Sequence, residues 1–342
     1  NSILYFTSKR EDSKGEKRDD NGQYYEDIYA SRMEDSVFLQ AENVGSPLNT
    51  KEHDATVAIS ADGNTIIIYR TDPYSGSGDL FFSRKDGFSW SNPIKMGLNI
   101  NSLYQETSAS LSADGNTLYF ASNRPGGNGG FDIYKSTKSK NGVWAIAVNL
   151  GGKINTKYDE ESPCIGADGK ILYFSSKGHE PNMGGFDVYK SELDKYGKWQ
   201  NPVNLGFPIN TLHDDLYFII TANAKIGYIS SNRIDSEGEV DIYQFYLNEK
   251  EPAITLFTGV VRDINGNIPI KADIELWDRD TNKTIYKTYS NALTGTFLVV
   301  IPNEKNVKLI FEKGNTIYTE ITDANADGKF NEIYKVIELE EK

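Results

Sequence analysis

The chain has one cysteine, three methionines and three histidines in 342 residues. A single thiol excludes an internal disulfide and any multi-cysteine metal site, so cysteine usage gives no guide to the compartment. Lys and Arg number 36 against 49 Asp and Glu, a formal net charge of −13. A chain so short of positive charge lacks the clustered cations that a phosphate backbone needs, and nucleic acid is excluded as a partner. Long apolar runs are missing too. The longest, such as Thr65-Ile66-Ile67-Ile68-Tyr69 and Phe297-Leu298-Val299-Val300-Ile301, are strand-sized, whereas a spanning helix needs about 20 apolar residues. No transmembrane segment is expected. The opening Asn1-Ser2-Ile3-Leu4-Tyr5-Phe6 has neither an initiator Met nor a basic leader, as expected of a piece of something longer. What is abundant is 21 Tyr, 16 Phe and 30 Gly, a composition that suits pleated strands joined by turns.

An internal repeat gives these residues an order. Segments beginning at Asn49, Asn101, Asn155 and Asn210 align without gaps, at intervals of 52, 54 and 55 residues. That length suits a propeller blade of four short strands. In each segment an acid opens a strand of apolar or small residues: Asp54, Glu106, Glu160 and Asp215. Ala-Asp-Gly follows in three copies (61–63, 113–115, 167–169) and Ala222-Asn223-Ala224 in the fourth. Asp-Gly supplies the positive φ of a tight hairpin. The second strand carries Leu118-Tyr119-Phe120, Leu172-Tyr173-Phe174 or Gly227-Tyr228-Ile229, and Leu4-Tyr5-Phe6 matches it. A third strand opens with Asp, an aliphatic and an aromatic at Asp27, Asp79, Asp132, Asp187 and Asp241. Phe38, Trp90, Trp144 and Trp199 mark a fourth strand, each with Gly seven and Asn eleven positions later.

Five third strands mean five blades, so residues 1–250 are expected to form a five-bladed β-propeller. Its first blade lacks a first strand and its fifth lacks a Trp-marked fourth strand. Upstream residues are expected to complete the first blade, because a propeller closes by pairing chain ends within one blade. The repeat stops near Glu249-Lys250-Glu251-Pro252. Residues 254–342 then alternate apolar and polar with frequent turn signals, the pattern of a small seven-stranded β-sandwich. Ile270, Ala272, Ile274 and Leu276 define one buried face. The short linker predicts a fixed arrangement of the two parts.

Chemistry-bearing residues are sparse. Asp54, Glu106, Glu160 and Asp215 would ring one mouth of the channel if the first strand lines the axis, and could take a cation, a basic peptide, a glycan or other ligand there. Alternatively each acid caps its loop by accepting backbone N–H bonds, the reading favoured by its recurrence with the whole loop. Arg10, Arg124 and Arg233 align at the end of the second strand; spread around a ring, they cannot converge on one carboxylate as in sialidases, and the Ser-x-Asp-x-Gly-x-x-Trp spacing of the sialidase Asp-box is missing. His53, His179 and His213 show no zinc spacing. Cys164 lies within a first strand and reads as a buried small thiol. Asp323, Asn325 and Asp327 match the first half of a calcium loop, but Tyr334 stands where a bidentate Glu is required. An Asp-rich β-turn is expected there, with a weak calcium site the alternative and no other cofactor. With no catalytic constellation in view, the chain is expected not to be an enzyme.

Glu160-Glu161-Ser162-Pro163 leading to Ala167-Asp168-Gly169, then Leu172-Tyr173-Phe174-Ser175-Ser176 and Gly185-Phe186-Asp187-Val188-Tyr189, resembles the TolB-like (WD-like) propeller repeats of Bacteroidetes OmpA-family proteins. Thr258-Gly259-Val260-Val261, Ile268-Pro269-Ile270 and Thr294-Gly295-Thr296-Phe297 resemble a carboxypeptidase regulatory-like domain of the transthyretin-like sandwich type. The resemblance covers nearly the whole chain. It implies a periplasmic, outer-membrane-associated scaffold that docks other protein components of a type IX secretion machine. Peptidoglycan would be reached only through a downstream OmpA-like domain that is not among these residues.

Overall fold

The computed structural model describes residues 3–15, 22–72, 77–139, 141–237, 239–266, 268–323 and 328–340. Among them every regular element is a β-strand, and no helix is long and apolar enough to cross a membrane. The first sheet holds β1 (Ile3–Ser8), β2 (Asp27–Glu34) and the two-residue β3 (Val37–Phe38) and β4 (Glu42–Asn43). The second holds β5 (Asp54–Ile59), β6 (Thr65–Thr71), β7 (Gly78–Asp86), β8 (Ser89–Trp90) and β9 (Ile94–Lys95). The third is β10 (Glu106–Leu111), β11 (Thr117–Ser122), β12 (Asp132–Thr137) and β13 (Val148–Asn149). The fourth repeats it with β14 (Glu160–Ile165), β15 (Ile171–Ser176), β16 (Asp187–Glu192) and β17 (Val203–Asn204). The fifth has only β18 (Asp215–Ile220), β19 (Ile226–Ser231) and β20 (Asp241–Tyr246).

All pairing in these sheets is antiparallel, as tight hairpins require. The Asp-Gly turns close through short bonds such as Gly115 N to Ser112 O at 2.7 Å, with Gly115 at φ 65°. Each first strand is bulged just after its acid, between Glu106 and Ala109 in β10 and between Glu161 and Cys164 in β14. In β14 the bulge lets Glu160 and the run from Ser162 to Ile165 all be buried. Successive sheets pack face to face through apolar side chains. Leu118 and Phe120 lie with Ile67 and Leu80 between the second and third sheets, and Phe174 and Leu172 with Ile133 and Ile154 between the third and fourth.

The fifth sheet meets the first. Tyr228 of β19 stands edge-on to Phe38 at 6.1 Å, and Gln23 Nε2 donates to Glu239 Oε1 at 2.8 Å. The same aromatic contact joins Tyr5 to Trp90 between the first and second sheets and Tyr119 to Trp199 between the third and fourth, each at 6.1 Å.

Beyond Pro252 come β21 (Ile254–Asp263), β22 (Asp273–Asp278), β23 (Lys283–Tyr289), β24 (Thr296–Pro302), β25 (Val307–Lys313), β26 (Thr316–Thr322) and β27 (Asn331–Leu339). They form two sheets, β24-β21-β27 and β23-β22-β25-β26. One core of Phe257, Val261, Leu276, Phe297, Leu309 and Phe311 lies between them, joined by Ile270, Ala272 and Ile274. β23 and the loop after it rest on hairpin turns of the second and third sheets. Asn64 Nδ2 donates to Tyr289 O at 2.9 Å and Asn116 Nδ2 to Ile285 O at 2.8 Å. Tyr286 and Thr288 both donate to the Asp62 carboxylate. Asn291 Nδ2 reaches Gly87 O at 2.7 Å, and Leu293 packs where a Cβ on Gly87 would lie 2.7 Å away.

Candidate functional site

Asp54, Glu106, Glu160 and Asp215 occupy equivalent positions at the starts of β5, β10, β14 and β18, and all four are 0% exposed. Each is enclosed by its own loop. The residue four positions earlier donates both its backbone N–H and its hydroxyl: Thr50 to Asp54, Ser102 to Glu106, Thr156 to Glu160 and Thr211 to Asp215, at 2.6–3.0 Å. These four carboxylates are therefore held as loop caps and present no oxygen to solvent where a ligand could meet it.

Three of the sockets also contain an arginine. Arg70 Nε donates to Asp54 Oδ1 at 2.5 Å, Arg124 Nη2 to Glu106 Oε1 at 3.0 Å and Arg233 Nη2 to Asp215 Oδ1 at 3.1 Å. The same guanidinium donates to the carbonyl just before the recurring Asn, on Leu48, Ile100 or Ile209. It stands over aromatic rings: Arg124 lies 5.1 Å from the Phe120 ring and 5.0 Å from that of Tyr134. A buried charge pair of this kind costs desolvation and is held by its hydrogen bonds. Arg70 enters its socket from two residues earlier in the second strand, directly opposite Asp54 where the other copies have Ser122, Ser176 and Ser231, which hid it in the sequence.

The fourth socket has no arginine. Gly178 stands at that place, and His179 fills the space, its Nε2 2.8 Å from Ile154 O and its ring 5.6 Å from Phe174 and 5.3 Å from Tyr189. A carbonyl only accepts, so Nε2 carries the proton. Burial lowers the His179 pKa. Glu160 has Ser176 Oγ at 2.7 Å and no cation, and burial pushes its carboxyl up to about 7. Burial raises the Asp54 carboxyl too, opposed by Thr50 and Arg70.

Arg10, the remaining aligned arginine, lies over Phe6 and Tyr29 at 5.4 and 4.8 Å and takes Ser8 Oγ at 3.2 Å. Among the described residues no carboxylate pairs with it. The three arginines named from the sequence thus stand in three separate sheets and do not converge.

Cys164 is buried and its thiol is pushed up to about 11, which leaves it protonated and unreactive at neutral pH. His53 Nδ1 lies 3.3 Å from Glu26 Oε2 and stacks on Tyr25. Asp323 pairs with Arg279, while Asn325 and Asp327 lie outside the described residues. Among the described residues no three His, Cys, Asp or Glu side chains group as metal ligands do.

Two features escaped sequence reasoning. Glu161, next to the recurring Glu160, points the other way by strand alternation. Its carboxyl accepts from Thr107 Oγ1 at 3.2 Å and is raised by burial. It lies close enough to Tyr69 and Tyr217 for its charge to help hold both phenols protonated. Nothing in the repeat marks it, because no other copy has it. The second feature is a shallow groove between the loop after β9 and the hairpin before β13, lined by Leu98, Asn99, Val143 and Trp144. Asn99 Nδ2 donates to Trp144 O at 2.6 Å and pins its walls together, yet Leu98 is 88% and Val143 62% exposed.

No protein-family model matches the chain, and no curated protein does. Solved structures similar to it are propeller proteins. TolB from Acinetobacter baumannii is 14% identical with a TM-score of 0.42, over 89% of this chain and 64% of that one. This chain thus spans less than two thirds of TolB. An alpha-L-arabinofuranosidase from Lactobacillus brevis is 11% identical with a TM-score of 0.45, over 72% of this chain and 88% of that one. The endo-arabinase of Bacteroides thetaiotaomicron is 13% identical with a TM-score of 0.41, over 66% and 88%. Two of these three are enzymes by name, which overturns the expectation, drawn from a missing catalytic constellation, that a chain of this kind is not an enzyme. At such identities and scores the likeness assigns no catalytic residue.

Proposed function

We propose that the chain is a five-bladed propeller joined to a carboxypeptidase regulatory-like sandwich, over about residues 1–250 and 254–342, and that it serves as a protein-docking module. The setting we propose is that of the OmpA-family protein PorE, which it resembles: a periplasmic component of an outer-membrane-associated type IX secretion machine, tied to the cell wall through flanking domains. Five similar sheets of which the last meets the first support the blade count, and the shared core of two facing sheets supports the sandwich. The observation that carries the docking role is the groove at Leu98 and Val143. Large apolar side chains are held out in water by a pinned loop pair, a cost that contact with another protein removes. Leu98→Asp with Val143→Asp places two charges in that groove without touching a core. The outer-membrane secretion components are expected to copurify with the parent protein and to be lost from the double variant at unchanged Tm. Equal recovery with both, or with neither, overturns the reading.

A further inference from the structure

Leu-Tyr-Phe occurs three times in second strands and is not equally covered. Leu118, Tyr119 and Phe120 are 0, 5 and 0% exposed and Leu172, Tyr173 and Phe174 are 0, 1 and 0%, whereas Leu4, Tyr5 and Phe6 are all only partly buried. The difference is one strand. β11 and β15 are flanked by β10 and β14, while β1 pairs with β2 alone among the described residues. Arg10 therefore keeps the aromatic platform of its counterparts, and among the described residues it has neither their carboxylate nor their carbonyl partner.

The fifth sheet lacks the complementary piece. In the other four sheets the recurring Asn clamps a third-strand residue through that residue's N–H and C=O. Asn49 does so on Ile28, and Asn101 on Leu80, at 2.9–3.0 Å. Asn155 holds Ile133 and Asn210 holds Val188 at 2.8–3.0 Å. Those four third-strand residues are 0% exposed, but the fifth, Ile242, is 41% exposed, and among the described residues no Asn reaches it. Asp27, Asp132 and Asp187 each accept from a fourth-strand Asn at 2.7–2.8 Å, and Asp79 pairs with Lys95. Asp241 accepts from the backbone N–H of Glu237 at 2.6 Å, and among the described residues no fourth-strand side chain reaches it.

At each of the other four junctions a single segment supplies all of this. It adds a short strand to one sheet, turns at Gly, clamps with Asn four residues on, caps with the next Ser or Thr, and four residues later gives an acid and a first strand to the following sheet. We propose that the junction between the fifth and first sheets is a binding site for one extended polypeptide segment of this pattern, from outside residues 1–342. It adds a strand to β20 and another to β1, with its acid on Arg10 and its Asn on Ile242. The docking role proposed above is not needed for this inference, which follows from the molecule's own filled junctions.

A peptide of residues 93–112 carries every element of the pattern, with Gly97, Asn101, Ser102 and Glu106. It is expected to bind one per chain and to slow amide exchange in residues 3–8 and 241–246 together. Arg10 is exposed, so Arg10→Gln leaves the fold intact and is expected to weaken binding about tenfold or more. Glu106→Gln in the peptide is expected to do the same, and the two together to cost no more than either alone. No binding at millimolar peptide, protection of only one of the two segments, or an affinity indifferent to Arg10→Gln overturns the proposal. Dimerisation of the protein alone with both edges already protected also overturns it, in favour of a second copy.

Discussion

The third and fourth sheets are built from almost the same residues and differ in one socket. In the third, Glu106 is buried against Arg124; in the fourth, Glu160 is buried with the same loop bonds and no cation, because Gly178 and His179 replace the arginine. The pair teaches that the loop cap and the ion pair are separable: Thr156 and Ser176 suffice to hold the fourth loop. Holding a carboxylate without a cation changes its titration, however. A raised native pKa means that the folded state binds a proton which the unfolded chain releases. Stability from Glu160 is thus fully present below the unfolded value, near 4.5, and is lost as pH rises towards about 7.

That contrast can be broken, the largest effect first. Arg124→Ala leaves Glu106 buried and unpaired, and urea unfolding at pH 7 should show a loss of about 3–5 kcal/mol. Substituting the acids should then act in opposite directions. Glu106→Gln strips Arg124 of its charged partner and costs about 1–3 kcal/mol in urea unfolding at pH 7. Glu160→Gln stabilises by about 1–3 kcal/mol at pH 8 and by little at pH 5. A loss of stability in Glu160→Gln at both pH values would mean that Glu160 is ionised and compensated after all. Gly178→Ala probes why the arginine is missing. A Cβ there lies 2.0 Å from Thr156 Oγ1, so the cap on Glu160 must shift, with an expected loss of about 1–3 kcal/mol in thermal unfolding. Lys177, the nearest cation in sequence, pairs with Asp159 at 3.4 Å in a half-exposed bridge. Lys177→Ala should change stability by less than about 0.5 kcal/mol and leave the pH profile alone.

The β-strands were largely legible because their signals are local. The third-strand Asp residues open β2, β12, β16 and β20, and lie one residue inside β7. Asp-Gly marks hairpins, and the Trp, Gly and Asn spacing marks each junction. The site was less legible for a reason that the sockets make plain. Recurrence picks out residues that every copy needs for its own folding, so Asp54, Glu106, Glu160 and Asp215 stood out and proved to be buried. Residues that one copy alone possesses, such as Glu161 and Leu98, carry no periodic mark. Long-range partners were hidden as well. Strand alternation says which side of β23 is apolar, but not that Asp62, Asn64 and Asn116 would meet it.

The sockets that build the sheets and the groove proposed to dock a partner can be set side by side in one copurification experiment. Glu160→Gln and Leu98→Asp with Val143→Asp are each tagged and recovered from a secretion-competent periplasm at equal levels of folded protein. The outer-membrane components are expected to stay with Glu160→Gln and to be lost from the groove variant. Loss from Glu160→Gln with retention by the groove variant would contradict the docking role of the groove.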